Sequence, residues 1–357
     1  MPAIIRATKD YERWMCKRID VVEPDLRTKH REMAKAPFFF LRATFYRWVP
    51  LWQEVCPDLA ATPSLLAVGD LHVENFGTWR DHEGRLCWGV NDFDEAFVMP
   101  YAIDLVRLAT SLLLAIEADR LRIAAETACT QLLGGYRAAV RAGEGKGFVL
   151  EESHPTLRAM AMGEERDPEH FWQKLGALKT SAVPRGVRKL LLRTMPEIEG
   201  TPRIAHRVAG LGSLGRPRYV ATAMSGGGLI AREAKAVLPS AYAFAIGRKP
   251  KETFCGALAT RAIRSPDPYY REQKGWMLRR LGPHCSAILL SDYPKKRDEL
   301  HLVQAMGRET ANVHFGTPEA LPAIRRDLKR RKGSWLFDAA SRMAEATLRD
   351  WKAWRAR

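Results

Sequence analysis

The sequence lacks the paired cysteines and the long apolar runs that mark several classes of protein. Its six cysteines are scattered and form no C-x-x-C pair, which excludes a zinc ribbon and a thioredoxin-type motif. The longest apolar stretch, residues 108–116, has about half the length of a membrane-spanning helix. Charged side chains interrupt residues 9–13, where a signal peptide would have its apolar region. We therefore expect a cytoplasmic protein with reduced cysteines and no membrane span.

Positive charge, in contrast, is present in excess. Lys and Arg number 57 against 41 Asp and Glu, so the net charge is +16. An excess of this size favours a polyanionic partner, such as nucleotide phosphates, nucleic acid or an anionic membrane surface. The chain of 357 residues is long enough for two domains or for one large two-lobed unit.

The first part of the chain mixes strand and helix patterns. Residues 37–57 predict a short strand followed by a helix. Two apolar runs, residues 65–69 and 86–93, flank a polar turn and predict a hairpin-like pair of strands. From Asp104 onward, apolar residues recur at three- and four-residue spacing, which predicts helices up to about residue 195.

Near residue 200 the pattern changes to short strands with glycine-rich turns. A β-meander is predicted over residues 203–209, 218–224 and 229–235. We therefore predict an α+β fold with three parts. These are a mainly helical large lobe (1–200), a small β-rich nucleotide-binding lobe (201–295) and C-terminal helices that pack on both (296–357).

The strongest chemical signal is the segment GDLHVENFG, which follows the first of these apolar runs. Asp70 and Asn75 have the spacing of kinase-like enzymes, in which a loop carboxylate faces the acceptor hydroxyl and an amide oxygen reaches magnesium. Asp92 and Asp94 follow the next apolar run, and these hard oxygen ligands suit magnesium or manganese better than zinc. Turn chemistry is the alternative for either motif alone. His72, inside the loop, is predicted to orient Asp70 or to be a structural histidine.

A second signal is a G-x-G-x-x-G run. A Rossmann interpretation requires a helix at the third glycine, but the chain continues as the strand-like RPRYVAT. A loop between two antiparallel strands instead matches the flap that covers ATP phosphates in kinases. The candidate phosphate-binding residues of this flap are Gly210, Gly212, Ser213 and Gly215.

Two basic residues on the next predicted strand are candidates for the nucleotide-binding cation. Arg232 ends the segment LIAR, which has the shape of the kinase V-A-I-K, and Lys235 follows it. Side chains alternate along a strand, so only one of the two can face the nucleotide. A solvated face is the alternative for both. Asp104 is expected to cap a helix or to bind the backbone of the Asp70 loop.

Taken together, these segments resemble the bacterial kinase-like proteins grouped as domain of unknown function 2252. The resemblance is carried by GDLHVENFG, NDFDEAFVMPYAIDLVRLATS, VAGLGSLGRPRYV and LIAREAK, and it extends over roughly residues 30–320. It implies a fold like that of protein kinases or aminoglycoside phosphotransferases, with Asp70 as catalytic base and with Asn75 and Asp92 as metal ligands. Where the family pattern has Lys-Glu-Ala, this chain has Arg232-Glu233-Ala234, which leaves a pseudokinase open.

The order of the motifs predicts a circular permutation. Kinases run from the glycine loop to the catalytic loop, whereas here residue 70 precedes residue 210. Our leading hypothesis is a phosphotransferase that uses ATP and magnesium, or manganese, on an unknown small-molecule or protein hydroxyl. The alternatives are AMP transfer, a nucleotide-binding regulator without activity, and a basic nucleic-acid-binding protein. Nucleic-acid binding is favoured by the net charge and by the basic run 325–332. The other interpretation of this run is the solvated face of a C-terminal helix.

Overall fold

A computed structural model describes residues 1, 3–163, 166–249, 252–293 and 298–357. Helices hold 52% of the residues and strands 17%, so the protein belongs to the predicted α+β class. The helices are α1 (Ala3–Cys16), α2 (Glu23–Lys35), α3 (Pro37–Ala43), α4 (Phe45–Val55), α5 (Pro57–Ala60), α6 (Ala102–Glu117), α7 (Ala125–Ala142), α8 (Pro155–Ala161), α9 (Pro168–Gly176), α10 (Arg185–Arg193), α11 (Ala241–Ala245), α12 (Cys255–Arg261), α13 (Glu299–His314), α14 (Leu321–Arg330) and α15 (Trp335–Arg355).

The strands form three antiparallel sheets. The strands are β1 (Ser64–Ala67), β2 (Phe76–Arg80), β3 (Leu86–Val90), β4 (Phe97–Pro100), β5 (Phe148–Val149), β6 (Glu199–His206), β7 (Arg218–Ser225), β8 (Gly228–Ala236), β9 (Arg271–Gln273) and β10 (Trp276–Leu281). The largest sheet has the order β6-β7-β8-β10-β9, and the smaller ones are β1-β4 and β2-β3-β5.

The main hydrophobic core surrounds α6. This helix is buried along almost its whole length, and its leucines at 105, 108 and 112 are inaccessible to solvent. It packs against α3, α7 and α15, while α13 lies along α7. Asp104 and Ser111 of α6 accept backbone N–H groups of residues 68, 69 and 73, so this core positions the loop that carries Asp70.

The five-stranded sheet confirms the predicted β-meander and has two different faces. Ile204, Ala221, Ala234 and Leu278 form an apolar cluster with α10 on one face. Side chains alternate along a strand, so the residues between them point to the opposite face, where charged groups line a cavity. The sheet begins at Glu199, where the sequence pattern changes. The three-part division of the chain stays a prediction.

Two predictions about local structure are wrong. Residues 37–43 form helix α3, since Pro37 lies at the first helical position, and a short apolar run does not distinguish a buried helix from a strand. The predicted pairing of residues 65–69 with 86–93 is also absent: β1 pairs with β4, and β3 pairs with β2 and β5. The loop of Asp70 and Asn75 therefore lies between the two sheets.

The C-terminal region is helical, as predicted, but its last helix is divided. A break after Arg330 separates α14 from α15. In the basic run, the side chains of 325, 326, 329 and 330 are exposed, as expected for a solvated face. Within the described ranges, no helix combines the length and the apolar character needed to cross a bilayer.

Candidate functional site

A cavity of about 380 Å³ lies between the five-stranded sheet and the loops that follow β1 and β3. Most of the predicted site residues line it. These are Asp70, His72, Asn75, Asp92, Asp94, Gly210, Gly212 and Ser213. Gly215, Arg232 and Lys235 are not part of its lining.

Asp70 is held by a buried arginine from helix α6. The Nε and one terminal nitrogen of Arg107 both donate to Asp70 Oδ1, at 3.0 and 2.6 Å. Arg107 is fully buried, whereas the Asp70 side chain is 17% exposed. Burial raises the pKa of Asp70, although Arg107 opposes the shift. The result is a fixed carboxylate that is more basic than an exposed one.

Asn75 joins the loop of Asp70 to the loop of Asp92. Its Nδ2 donates to the backbone carbonyls of Asp70 and Asp92, each at 3.1 Å. Its Oδ1 accepts the backbone N–H of Asp92 at 2.9 Å. Asn75 is thus a bridge between the two predicted motifs, and its amide oxygen keeps one lone pair for a metal ion.

Lys235 connects the acidic pair to the sheet. Its Nζ lies 2.9 Å from Asp92 Oδ2 and 2.7 Å from Asp94 Oδ1. Burial in the cleft raises the pKa of Asp92, but Lys235, together with Asp94 and Arg279, outweighs this effect and holds the pKa below its usual range. Burial and the neighbouring Asp92 raise the pKa of Asp94. Asp92 has 42% of its side chain exposed and Asp94 only 8%, so Asp92 is the more accessible of the two carboxylates.

Arg232 lies on the other face of β8 and does not reach this cluster. Its Nε donates to the carbonyl of Thr194 at 2.9 Å, and its guanidinium stacks over the Tyr269 ring. Of the two candidate cations, therefore, Lys235 faces the cavity side of the sheet. Arg232 has a packing role between β8 and the residues after α10.

The glycine loop lies directly over Asp70. A Cβ atom on Gly212 would be 3.6 Å from Asp70 Oδ2 and 2.9 Å from the carbonyl of Arg42, so only glycine fits without displacement. Lys29 of α2 donates to the carbonyl of Gly212 at 2.9 Å, and burial lowers the pKa of Lys29 to about 8. Gly215 packs against Leu26 instead of lining the cavity.

The remaining motif residues support the loop. Asp104 lies in the first turn of α6 and does not cap it, because α6 begins at Ala102. Its carboxylate accepts the backbone N–H groups of Val68 and Gly69, at 2.8 and 2.7 Å, which confirms its predicted role in binding the loop backbone. His72 lines the cavity, and burial lowers its pKa well below the ordinary value. It is therefore neutral at pH 7.

Sequence reasoning missed most of the basic residues of the site. Arg107 interrupts an apolar helix face, a position where a buried arginine needs a carboxylate partner, and this signal could have been used. Six further arginines line the cavity: Arg42, Arg166, Arg207, Arg216, Arg218 and Arg279. Arg207, Arg216 and Arg218 flank the predicted glycine loop, whereas Arg42, Arg166 and Arg279 come from separate parts of the chain. The connection after β10, residues 283–289, also borders the cavity.

The residues fit a magnesium ion that is held partly by the protein and partly by a bound substrate. Within the described residues, no group of three His, Cys, Asp or Glu side chains forms a metal site on its own. Magnesium in phosphate-transferring sites is usually held by one or two carboxylates, with phosphates and waters completing the shell. Asp92, with Asn75 and the enclosed Asp94 beside it, supplies such an incomplete set.

Comparison with protein families identifies the group to which this chain belongs. The model of the family described as "Uncharacterized protein conserved in bacteria (DUF2252)" matches residues 21–206, which is more than half of the chain. The chain is a member of the DUF2252 family. The match includes the loops of Asp70 and Asp92 but ends at β6, before the glycine loop. Neither the curated proteins nor the solved structures contain a significant match to this DUF2252 protein.

Proposed function

We propose that this DUF2252 protein is an ATP- and magnesium-dependent phosphotransferase with a kinase-like arrangement, acting on a small-molecule or protein hydroxyl. The observation that carries the proposal is the bridge made by Asn75 between the loops of Asp70 and Asp92. Phosphoryl transfer needs a carboxylate for the acceptor and another for the metal-bound phosphates within one cavity. Asn75 holds these two carboxylates in that relation.

The sheet supports a kinase-like arrangement. In kinases a glycine-rich loop covers the phosphates, and the lysine lies on the third strand. Here the loop connects β6 with β7, and Lys235 lies on β8 and reaches Asp92. The glycine loop follows the catalytic loop in the chain, yet Gly212 lies over Asp70. This proximity supports the proposed circular permutation.

Asp70 has the properties of the residue that receives the acceptor's proton. Arg107 binds Oδ1 twice and so fixes the carboxylate, while Oδ2 lies beneath the glycine loop. The raised pKa of Asp70 brings it closer to the operating pH, which strengthens a general base. Bound magnesium would contribute neutralisation of phosphate charge next to Asp92. Positioning and charge neutralisation account for most of the catalysis in this class of reaction.

An active enzyme is favoured over a pseudokinase by the position of Lys235. The family's lysine position holds Arg232 here, but Arg232 packs on the opposite face of β8. Lys235 provides the cation next to Asp92 instead. AMP transfer would use the same residues with the nucleotide inverted, so the products must distinguish the two reactions.

The proposal is tested with ATP labelled at either the α- or the γ-phosphate. The purified protein is incubated with magnesium and a heat-inactivated cell extract, which provides a pool of small-molecule and protein acceptors. We expect γ-label on an acceptor together with ADP, and a loss of about 10²-fold or more for Asp70→Asn. The exposed Asp58→Ala serves as the control with unchanged activity. Transfer of α-label would replace phosphotransfer by AMP transfer, and absence of both labels would refute catalysis.

A further inference from the structure

Beneath the glycine loop, three arginines share a single buried glutamate. Arg218 and Arg279 donate to Glu233 Oε1 at 2.9 and 2.7 Å, and Arg207 donates to Oε2. Glu233 lies on β8, directly opposite Arg279 on β10. Glu233 is fully buried, and Arg218 is 4% exposed. All three guanidiniums line the cavity.

The charge of this cluster is unbalanced. In the described part of the chain, the ion pairs of the three arginines all go to Glu233. Burial would raise the pKa of Glu233, but the guanidiniums hold it well below the usual range, so the carboxylate is ionised. Three positive charges against one negative charge leave an excess of two in a poorly solvated place, where an anionic ligand would be strongly stabilised.

The acidic cluster beside these arginines has the opposite balance, and Lys235 connects it to the same strand as Glu233. The carboxylates of Asp92, Asp94 and Glu95 face two cations, Lys235 and Arg216. A ligand that combines several negative charges with a bound divalent cation would complement both clusters. A simple carboxylate would satisfy only the basic cluster.

The glycine loop is shaped around one of these arginines. A Cβ atom on Gly210 would lie 2.9 Å from a terminal nitrogen of Arg218, and Gly210 has a φ of +74°. The same arginine group donates to Ser213 Oγ at 2.7 Å. Glycine at this position therefore allows the guanidinium to reach the underside of the loop, where the loop would cover a ligand.

We infer that Arg207, Arg218 and Arg279 form a polyphosphate-binding site that receives the triphosphate of the nucleotide beneath the glycine loop. This inference rests on the proposed function for the identity of the ligand, but the arginine cluster makes the anion site independently of the chemistry. Guanidinium forks bind phosphate oxygens in pairs, which gives the site both strength and orientation. Lys235 is engaged by two carboxylates, whereas the three arginines share one carboxylate and so keep donors for the phosphates.

The test uses inorganic tripolyphosphate as the probe, titrated calorimetrically into the full-length protein without divalent metal, and ATP titrated with magnesium present. Arg207→Gln and Arg279→Gln are the variants, because these side chains are partly exposed, at 22% and 17%, and tolerate replacement better than Arg218. We expect each to weaken tripolyphosphate and ATP binding about tenfold or more. The control, Arg271→Gln, removes the same charge from an exposed position on β9 and should leave binding unchanged.

Competition with adenosine and with ATP shows which part of the nucleotide the site recognises. The inference predicts that tripolyphosphate and ATP compete, and that adenosine does not displace tripolyphosphate. Failure of the wild-type protein to bind tripolyphosphate, or equal binding by the Arg207 and Arg279 variants, would overturn it. Arginine-dependent tripolyphosphate binding without Asp92-dependent ATP binding would keep the anion site and refute the phosphotransferase. ATP binding that depends on Asp92 but not on the arginines would keep the proposed phosphotransferase and refute the anion site.

Discussion

Single residues in this protein contribute most to stability where a charged side chain is buried together with its ion-pair partner. Arg107 and Asp70 form such a pair, since the arginine has no exposed surface and donates twice to one carboxylate oxygen. Removing one partner of a buried ion pair leaves the other uncompensated, which costs more than the pair itself contributes.

Arg107→Met should therefore lower the free energy of unfolding by about 3 kcal/mol, as measured by urea denaturation. The double variant Arg107→Met with Asp70→Asn should recover part of this loss, because no unpaired carboxylate remains. Equal stability of the single and double variants would show that the loss arises from packing rather than from charge.

Glu309 provides a second test at this scale, through pH. Its carboxylate is buried and accepts the Val90 N–H and the Asn312 amide, at 3.1 and 3.0 Å. Burial raises its pKa from 4.5 to about 7. Between pH 4.5 and pH 7, Glu309 holds a proton in the folded protein that it has lost in the unfolded chain. The contribution of this proton to the free energy of unfolding is therefore fully present below pH 4.5 and is lost as the pH rises through 7.

Glu309→Gln should remove this dependence. We expect the stability difference between variant and wild type to shift in favour of the variant as the pH is raised from 5 to 8. Denaturation curves at several pH values measure it, and a difference that does not change with pH would contradict the assignment.

The choice between Arg232 and Lys235 shows what a sequence pattern can and cannot predict about a single side chain. Alternation along the strand correctly required that one of them face away, but it could not choose the face. The choice depends on α10 and Asp92, which lie far from β8 in the sequence. In the same way, Arg207 and Arg218 flank the glycine loop in the sequence, but their convergence with Arg279 on Glu233 depends on the pairing of β8 with β10.

At the scale of elements, the glycine loop has no room for added volume above Asp70. Gly212→Ala would place a Cβ 2.9 Å from the Arg42 carbonyl, so the loop must move away from Asp70. We expect a loss of about 1 kcal/mol in stability from overpacking, together with weaker ATP binding. The matched control is Gly186→Ala in α10, where a Cβ meets nothing within 4 Å. Unchanged ATP affinity in Gly212→Ala would remove the loop from the site.

Elements with their own periodicity were predictable, whereas pairings between distant segments were not. The β-meander was correctly predicted because its strands and glycine turns are consecutive. The pairing of β1 with β4 was missed because β2 and β3 intervene as a local hairpin. Helix α3 was mistaken for a strand, since its buried apolar run has no clear period.

At the scale of the whole molecule, separate parts of the fold converge on one cavity. The core around α6 supports the loops of Asp70 and Asp92, and the five-stranded sheet brings Lys235 and the glycine loop onto them. Helix α2 binds the loop from outside through Lys29. The α+β class was predictable, and eight of the predicted site residues line the cavity, because the motifs that carry them are local. Their convergence depends on tertiary packing that no single segment encodes.

The central claim is that this cavity binds ATP through magnesium at Asp92. It is tested most directly by calorimetric titration of ATP into wild type, Asp92→Ala and Asp58→Ala, with and without magnesium. We expect magnesium-dependent binding of ATP in the wild type and in the exposed control Asp58→Ala. Asp92→Ala should lose this binding. Absence of ATP binding by the wild type with either magnesium or manganese would contradict it.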